Sequence, residues 1–142
     1  MLVAIYWNNH HHLFSVVERI GGGVLWANLH LLFWLSLTPV AAAWLGPNLG
    51  DSAPTGIYGI VLLGSGIAFV ILTRVLVVHH APDSPLARAI GHDRKGKLSI
   101  VGYVVAIVAA PWVPWLSIAF YVLVAAVWLI PDRRIERVSA TL

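Results

Sequence analysis

The stretch Tyr6-Trp7-Asn8-Asn9-His10-His11-His12-Leu13-Phe14, a break at Gly21–Gly23, and then Leu25-Trp26-Ala27-Asn28-Leu29 running on through Ser36 to Pro39 hold most of the polar chemistry found among this chain's apolar runs. A buried amide or imidazole in hydrocarbon must find a hydrogen-bond partner or cost several kcal/mol. These side chains therefore mark a place where helices meet.

Outward from this stretch the chain is close to plain hydrocarbon. Of its 142 residues 59% are hydrophobic and only 11% charged, against about 25% charged in ordinary soluble domains. Val24–Gly46 and Ile57–Val78 contain one charged residue between them, Arg74. A run of about 20 apolar residues at about 1.5 Å per residue crosses the hydrocarbon core of a bilayer. The expected fold is all-α, a polytopic membrane helical bundle in a single transmembrane domain over residues 1–142. Its spans are read at about 1–17, 24–45, 56–78, 98–111 and 115–131, five in all. The net charge of +3 comes from basic residues that flank the spans, as the positive-inside rule has it, and no nucleic-acid partner is expected. The absence of cysteine excludes disulfides and thiolate metal sites.

The chain opens Met-Leu-Val-Ala-Ile-Tyr-Trp and reaches Asn8 almost at once, unlike the basic start of a signal peptide. Its first apolar run is short, and it reads as a helix whose beginning lies upstream of residue 1. Pro39 lies inside the second span, where it removes one backbone hydrogen bond and can kink the helix. Gly46 to Pro54 forms a breaker-rich loop. In the third span Gly56, Gly59, Gly64, Ser65 and Gly66 allow a neighbouring backbone to approach, so this helix reads as an interior packing element. The hydrophilic segment 79–97 follows, with Pro82 and Pro85 ending the third helix. Leu98–Pro131 is too long for one span and is divided by Pro111-Trp112-Val113-Pro114-Trp115, which reads as a hairpin turn with its indoles at the interface. Gly102, Ala106 and Ala110 recur every four residues as a second close-packing stripe.

Placing alternate loops on one side gathers all nine Lys and Arg residues there, while Asp51 marks the other. The 79–97 loop and the tail 132–142 are accordingly expected in the cytoplasm, with Met1 toward the outside.

Tyr6 and His10, Trp7 and His11, and Asn8 and His12 are each one helical turn apart, while consecutive histidines fan out by roughly 100°. Three adjacent histidines on a helix cannot share one metal, and no metal site or cofactor is expected. A histidine-metal membrane enzyme remains the weakest reading. Asn28 reads as a helix-to-helix clasp. Trp26 and His30 lie one turn apart on another face, and Ser36 and Thr38 can bond to carbonyls a turn back. No nucleophile–base pair, phosphate loop or intramembrane carboxylate occurs. An enzyme is not expected, nor a proton-coupled transporter.

Trp7-x-Asn9-His10-His11-x-Leu13-Phe14, followed by Leu25-Trp26-x-Asn28-Leu29-x-Leu31-Leu32-Phe33-x-x-Ser36-Leu37-x-Pro39, resembles the second and third helices of the transmembrane protein 175 family, potassium channels of bacteria and of animal endolysosomes. The resemblance implies six helices per subunit, both termini cytoplasmic, and a homotetramer, with K+ as the permeant ion and the bilayer as surroundings. Its expected setting is the bacterial plasma (inner) membrane. The family's first helix lines the pore and carries an Arg…Phe-Ser-Asp signature, which this sequence does not contain, so the resemblance implies a truncated member holding helices two to six. It further implies that His10, His11, Trp26 and Asn28 brace the pore helix, with Trp7, Asn9, Ser36 and Pro39 in support, and Gly59, Gly64, Gly66, Gly102 and Ala106 in helix packing. The expected function is a potassium-selective channel subunit. A non-conducting membrane scaffold is the alternative.

Overall fold

The computed structural model describes Trp7, residues 21–78 and residues 94–129. Among these, the chain forms four helices: α1 (Gly22–Leu45), α2 (Ser52–Val78), α3 (Arg94–Ala109) and α4 (Pro114–Leu129), with a 3-10 turn at Gly46–Asn48 after α1. Trp7 is also helical, but the rest of the first expected span lies outside the described residues.

The protein is an all-α membrane bundle. The 24 residues of α1 and the 27 of α2 reach about 36 and 40 Å at the standard rise, enough for a hydrocarbon core of about 30 Å. α3 and α4, at 16 residues each, are apolar but shorter, about 24 Å. So two described helices have the length and composition of a full span, where the sequence reading counts five spans in the whole chain.

Helix boundaries follow local chemistry. α1 starts at Gly22, inside the glycine run, with Gly21 extended before it. It continues through Pro39 to Leu45 without interruption. α2 starts at Ser52 rather than at Gly56, because Pro54 falls in the first turn, where its missing N–H would have had no helical partner anyway. α3 starts at Arg94 rather than Leu98: Arg and Lys are good helix formers and extend the apolar helix by a turn. Pro114 opens α4 as its first residue, and the chain reverses through Ala110–Val113.

α2 is the hub. It packs along α1 on one side and against α3 and α4 on the other, and α3 and α4 pack on each other. Its first cluster joins Ala68, Phe69, Leu72 and Leu76 to Val24, Ala27, Leu31 and Leu35 of α1. Its second joins Leu62 to Tyr103, Ala106, Tyr121 and Val124 of the α3–α4 hairpin. Half of α2's apolar window is buried against 22% of α1's. α1 therefore contacts the bundle along one stripe and leaves Leu25, Leu29, Leu32, Phe33 and Val40 exposed.

At one end the two connections lie together. Ser52 Oγ donates to Pro111 O at 3.4 Å. Gly50 takes φ +95°, and the Trp115 indole lies against it: a Cβ there would stand 3.3 Å from Nε1. Both the backbone conformation and the close approach call for glycine.

Candidate functional site

Two of the contacts between α2 and its neighbours are built around a glycine of α2. Where α1 meets α2, Gly64 lies under the Trp34 ring, and a Cβ on Gly64 would come within 2.6 Å of Cε2 and closer still to Cδ2 and Cε3. With the indole seated there, its Nε1 donates to His30 Nε2 at 3.1 Å, one turn back on α1. Indole nitrogen is only a donor, so His30 Nε2 is the acceptor of this bond. Phe33 meets the Trp34 ring edge-on, with centroids 5.7 Å apart and planes at 73°.

Where α2 meets the hairpin, Gly59 faces Tyr121 of α4 and Ile107 of α3. A Cβ at Gly59 would overlap Tyr121 Oη and lie 2.7 Å from Ile107 Cγ1. The Tyr121 hydroxyl donates to Thr55 O at 3.1 Å. Its ring is held by Tyr58 edge-on at 5.7 Å and by Tyr103 tilted at 6.3 Å. The Thr55 hydroxyl beside it is fully buried and has no hydrogen-bond partner among the described residues.

Two more bonds close the hairpin: Ser117 Oγ to Ala106 O at 2.6 Å, and Trp128 Nε1 to Ser99 Oγ at 2.7 Å. The Trp128 ring also meets Phe69 of α2 edge-on at 5.6 Å. Ala106 is fully buried, and a Cβ on Gly102 would stand 3.3 Å from Val124 Cγ2. Gly66 is half-buried.

Of the motif residues, His10, His11 and Asn9 lie outside the described residues. Trp7 is 62% and Trp26 75% exposed. Asn28 is half-buried. At about 100° per residue Trp26 and Asn28 point roughly 200° apart around α1, so they serve two different faces of the helix. His30 pairs with Trp34 rather than with Trp26. Ser36 Oγ donates to Phe33 O at 2.7 Å and Thr38 Oγ1 to Trp34 O at 3.4 Å. Pro39 is on the exposed side of α1. No group of three metal-ligating side chains gathers among the described residues. The histidine run 10–12 and the His79-His80 pair lie outside them.

The sequence reading missed the partners of the glycines: Trp34, Tyr121 and Ile107. Their signal is faint, because a tryptophan in an apolar helix is also what a lipid-facing position carries.

Residues 1–39, which contain both motifs, match the model of the family described as endosomal/lysosomal potassium channel TMEM175. A potassium channel of Chryseobacterium sp. is 49% identical over 135 residues, which is 95% of this chain and 70% of that protein. The chain belongs to the TMEM175 potassium channel family. A potassium channel of Streptomyces collinus is 28% identical over 98 residues, 63% of this chain and 48% of that protein, so the chain spans about half the length of this second relative. No solved structure matches the chain. Family membership gives the motif residues a common context, since the model match ends at Pro39 and takes in Trp7, Trp26, Asn28 and Ser36.

Proposed function

We propose that this chain is a subunit of a potassium-selective channel that lets K+ pass down its gradient, assembled as a homotetramer in a bacterial inner membrane. The observation that carries the reading is the 49% identity to a protein named a potassium channel, over 95% of this chain. An all-α membrane bundle with no acidic residue in any described helix fits passive conduction, in which a hydrophobic constriction selects through dehydration of the ion. The orientation proposed from the loop charges puts the 79–97 segment and residues 132–142 in the cytoplasm.

In the same reading Trp26 and Asn28 of α1, with His10 and His11, brace the pore-lining segment. Trp26 is exposed and Asn28 half-buried on a helix whose other stripe packs on α2, so α1 has a face left for a further helix. The indole supplies a hydrogen-bonding group on that face and the amide one on the flank beside α2, worth about 1 kcal/mol each between helices in a bilayer.

Reconstitution into K+-loaded vesicles, with crosslinking of the same preparation, tests the proposal. The expected result is K+ efflux faster than Na+ efflux from a preparation that crosslinks to a tetramer. A tetramer that passes neither ion would overturn conduction by these residues alone; if a version extended upstream conducts, the reading becomes a channel whose pore helix lies outside these residues, and if it does not, a non-conducting scaffold.

A further inference from the structure

Along α2 Ile57, Ile60, Ile67, Ile71 and Val78 share one row, each 39% exposed or more, interrupted at Gly64, which falls in the same row and is covered by Trp34 of α1. Arg74, also exposed, falls in this row, three residues after Ile71 and four before Val78, the spacing of one helix face. A guanidinium is thus mounted on an exposed apolar strip. It pairs with no acidic side chain among the described residues, whose lone acid, Asp51, sits just before the opposite end of α2.

Depth fixes what it meets. Ser52–Val78 has its midpoint at Ser65, and Arg74 lies nine residues beyond, about 13 Å along the axis. The hydrocarbon half-thickness is about 15 Å. The backbone of Arg74 is therefore just inside the apolar edge, and an extended arginine carries its charged end to the phosphate layer, its stem lying along hydrocarbon.

A second cation belongs to the same end. Gly59 opposite Ile107, and Gly56 with its built Cβ 4.0 Å from Ala110 Cβ, set α3 antiparallel to α2 in one-to-one register. Lys97 is then level with Phe69, about 6 Å from the midpoint and about 8 Å short of Arg74 along the axis, so its ammonium reaches toward the Arg74 end by extending its stem along the helix. It is exposed, next to Leu98 and Val101 in α3's own outward row.

We propose that Arg74, supported by Lys97, holds the headgroup of an anionic phospholipid. Arg74 takes the phosphate through its planar donor fork, and the acyl chains run along Ile71 and Ile67. Phosphatidylcholine carries the same phosphate with a trimethylammonium beside it, and Lys97 repels that cation, which is why an anionic headgroup such as phosphatidylglycerol is preferred to a zwitterionic one.

The test places the purified chain in nanodiscs made of equal parts phosphatidylglycerol and phosphatidylcholine, and counts by native mass spectrometry which lipid stays bound on release. Wild type is expected to retain phosphatidylglycerol. R74Q is expected to lose that preference by about fivefold, the contribution of one cation at an anionic surface. R74K keeps part of it, and K97Q loses less than R74Q. Retention by R74Q equal to wild type would overturn the assignment, as would equal retention of the two lipids by wild type. If R74Q does not fold, the comparison of R74K and K97Q with wild type decides in its place, and unchanged retention in both counts against the site. Displacement of the lipid by inorganic phosphate at matched ionic strength also counts against it, since a free anion would then be the ligand.

Discussion

Tyr121 of α4 and Thr55 of α2, 66 residues apart in sequence, are joined by a hydrogen bond of 3.1 Å from the phenol to the Thr55 carbonyl, which passes over the backbone of Gly59. The bond exists because glycine leaves room for the phenol. In hydrocarbon no water competes for either group. Tyr121→Phe removes the bond and keeps the ring between Tyr58 and Tyr103, so the expected loss of stability is about 0.6 kcal/mol, up to about 1.7. Steric-trapping unfolding in bicelles measures it, and a wild-type value for the variant would mean that the bond contributes nothing.

Gly59→Ala should cost more, about 1–3 kcal/mol, because its Cβ meets both Tyr121 Oη and Ile107 Cγ1 in a packed interface. Combining it with Tyr121→Phe relieves the overlap with Oη but keeps ring carbon Cζ, 2.9 Å from the built Cβ. The pair should therefore be less damaging than the sum of the single changes, with Ile107 Cγ1 and the ring's Cζ still opposing the methyl. A double-mutant cycle in the same assay reads the coupling.

Gly64→Ala drives a methyl into the Trp34 ring. The ring must shift, and the Trp34–His30 bond goes with it. A loss of about 1–3 kcal/mol is expected, together with a change in tryptophan emission. The emission change should be absent in a Trp34→Phe background, and its persistence there would assign it to another of the chain's seven tryptophans.

Thr55→Val replaces a fully buried hydroxyl with no partner among the described residues by a methyl of similar size. Removing an unsatisfied polar group should leave stability unchanged or raise it by up to about 1 kcal/mol. A clear loss would show that the hydroxyl is satisfied in the membrane, by an internal water for example.

For the proposed conduction, Asn28→Leu and Trp26→Ala are expected to slow K+ efflux from vesicles about fivefold each, the effect of losing roughly 1 kcal/mol of interhelical hydrogen bonding. Far-UV circular dichroism should not change. Full efflux in both variants would remove these two residues from the pore support.

Much of this architecture is legible from the sequence because a bilayer narrows the choices: uncharged runs near 20 residues become helices, and the charge-free segments around Leu35 and Ser65 admit little else. The glycines at positions 59 and 64 are legible as close-approach positions. What approaches them is not, because an apolar helix with lipid on one side has no polar stripe to reveal its inward face. Trp34, Trp26 and Trp115 read alike as letters, yet one seals α1 to α2, one is exposed and one lies against a loop glycine. Two helix starts come earlier than expected, at Ser52 and Arg94. In both cases a residue that reads as a stop, a proline in the first turn or a basic pair, is acceptable at a helix beginning. The pairing of His30 with Trp34 rather than Trp26 is another such case, since both neighbours are one turn away and only the seat provided by Gly64 decides between them.

The contact of Trp115 with Gly50 has a practical side for anyone who wants to label or engineer this molecule. A connection whose glycine sits at φ +95° under an indole, with Ser52 bonded across to Pro111, is a poor host for an epitope, a fluorophore or a protease site, although its breaker-rich composition makes it look like the obvious choice. An insertion between Gly46 and Asp51 would pry the two loops apart, and the disturbance would spread to Thr55 and Tyr121 one turn further in.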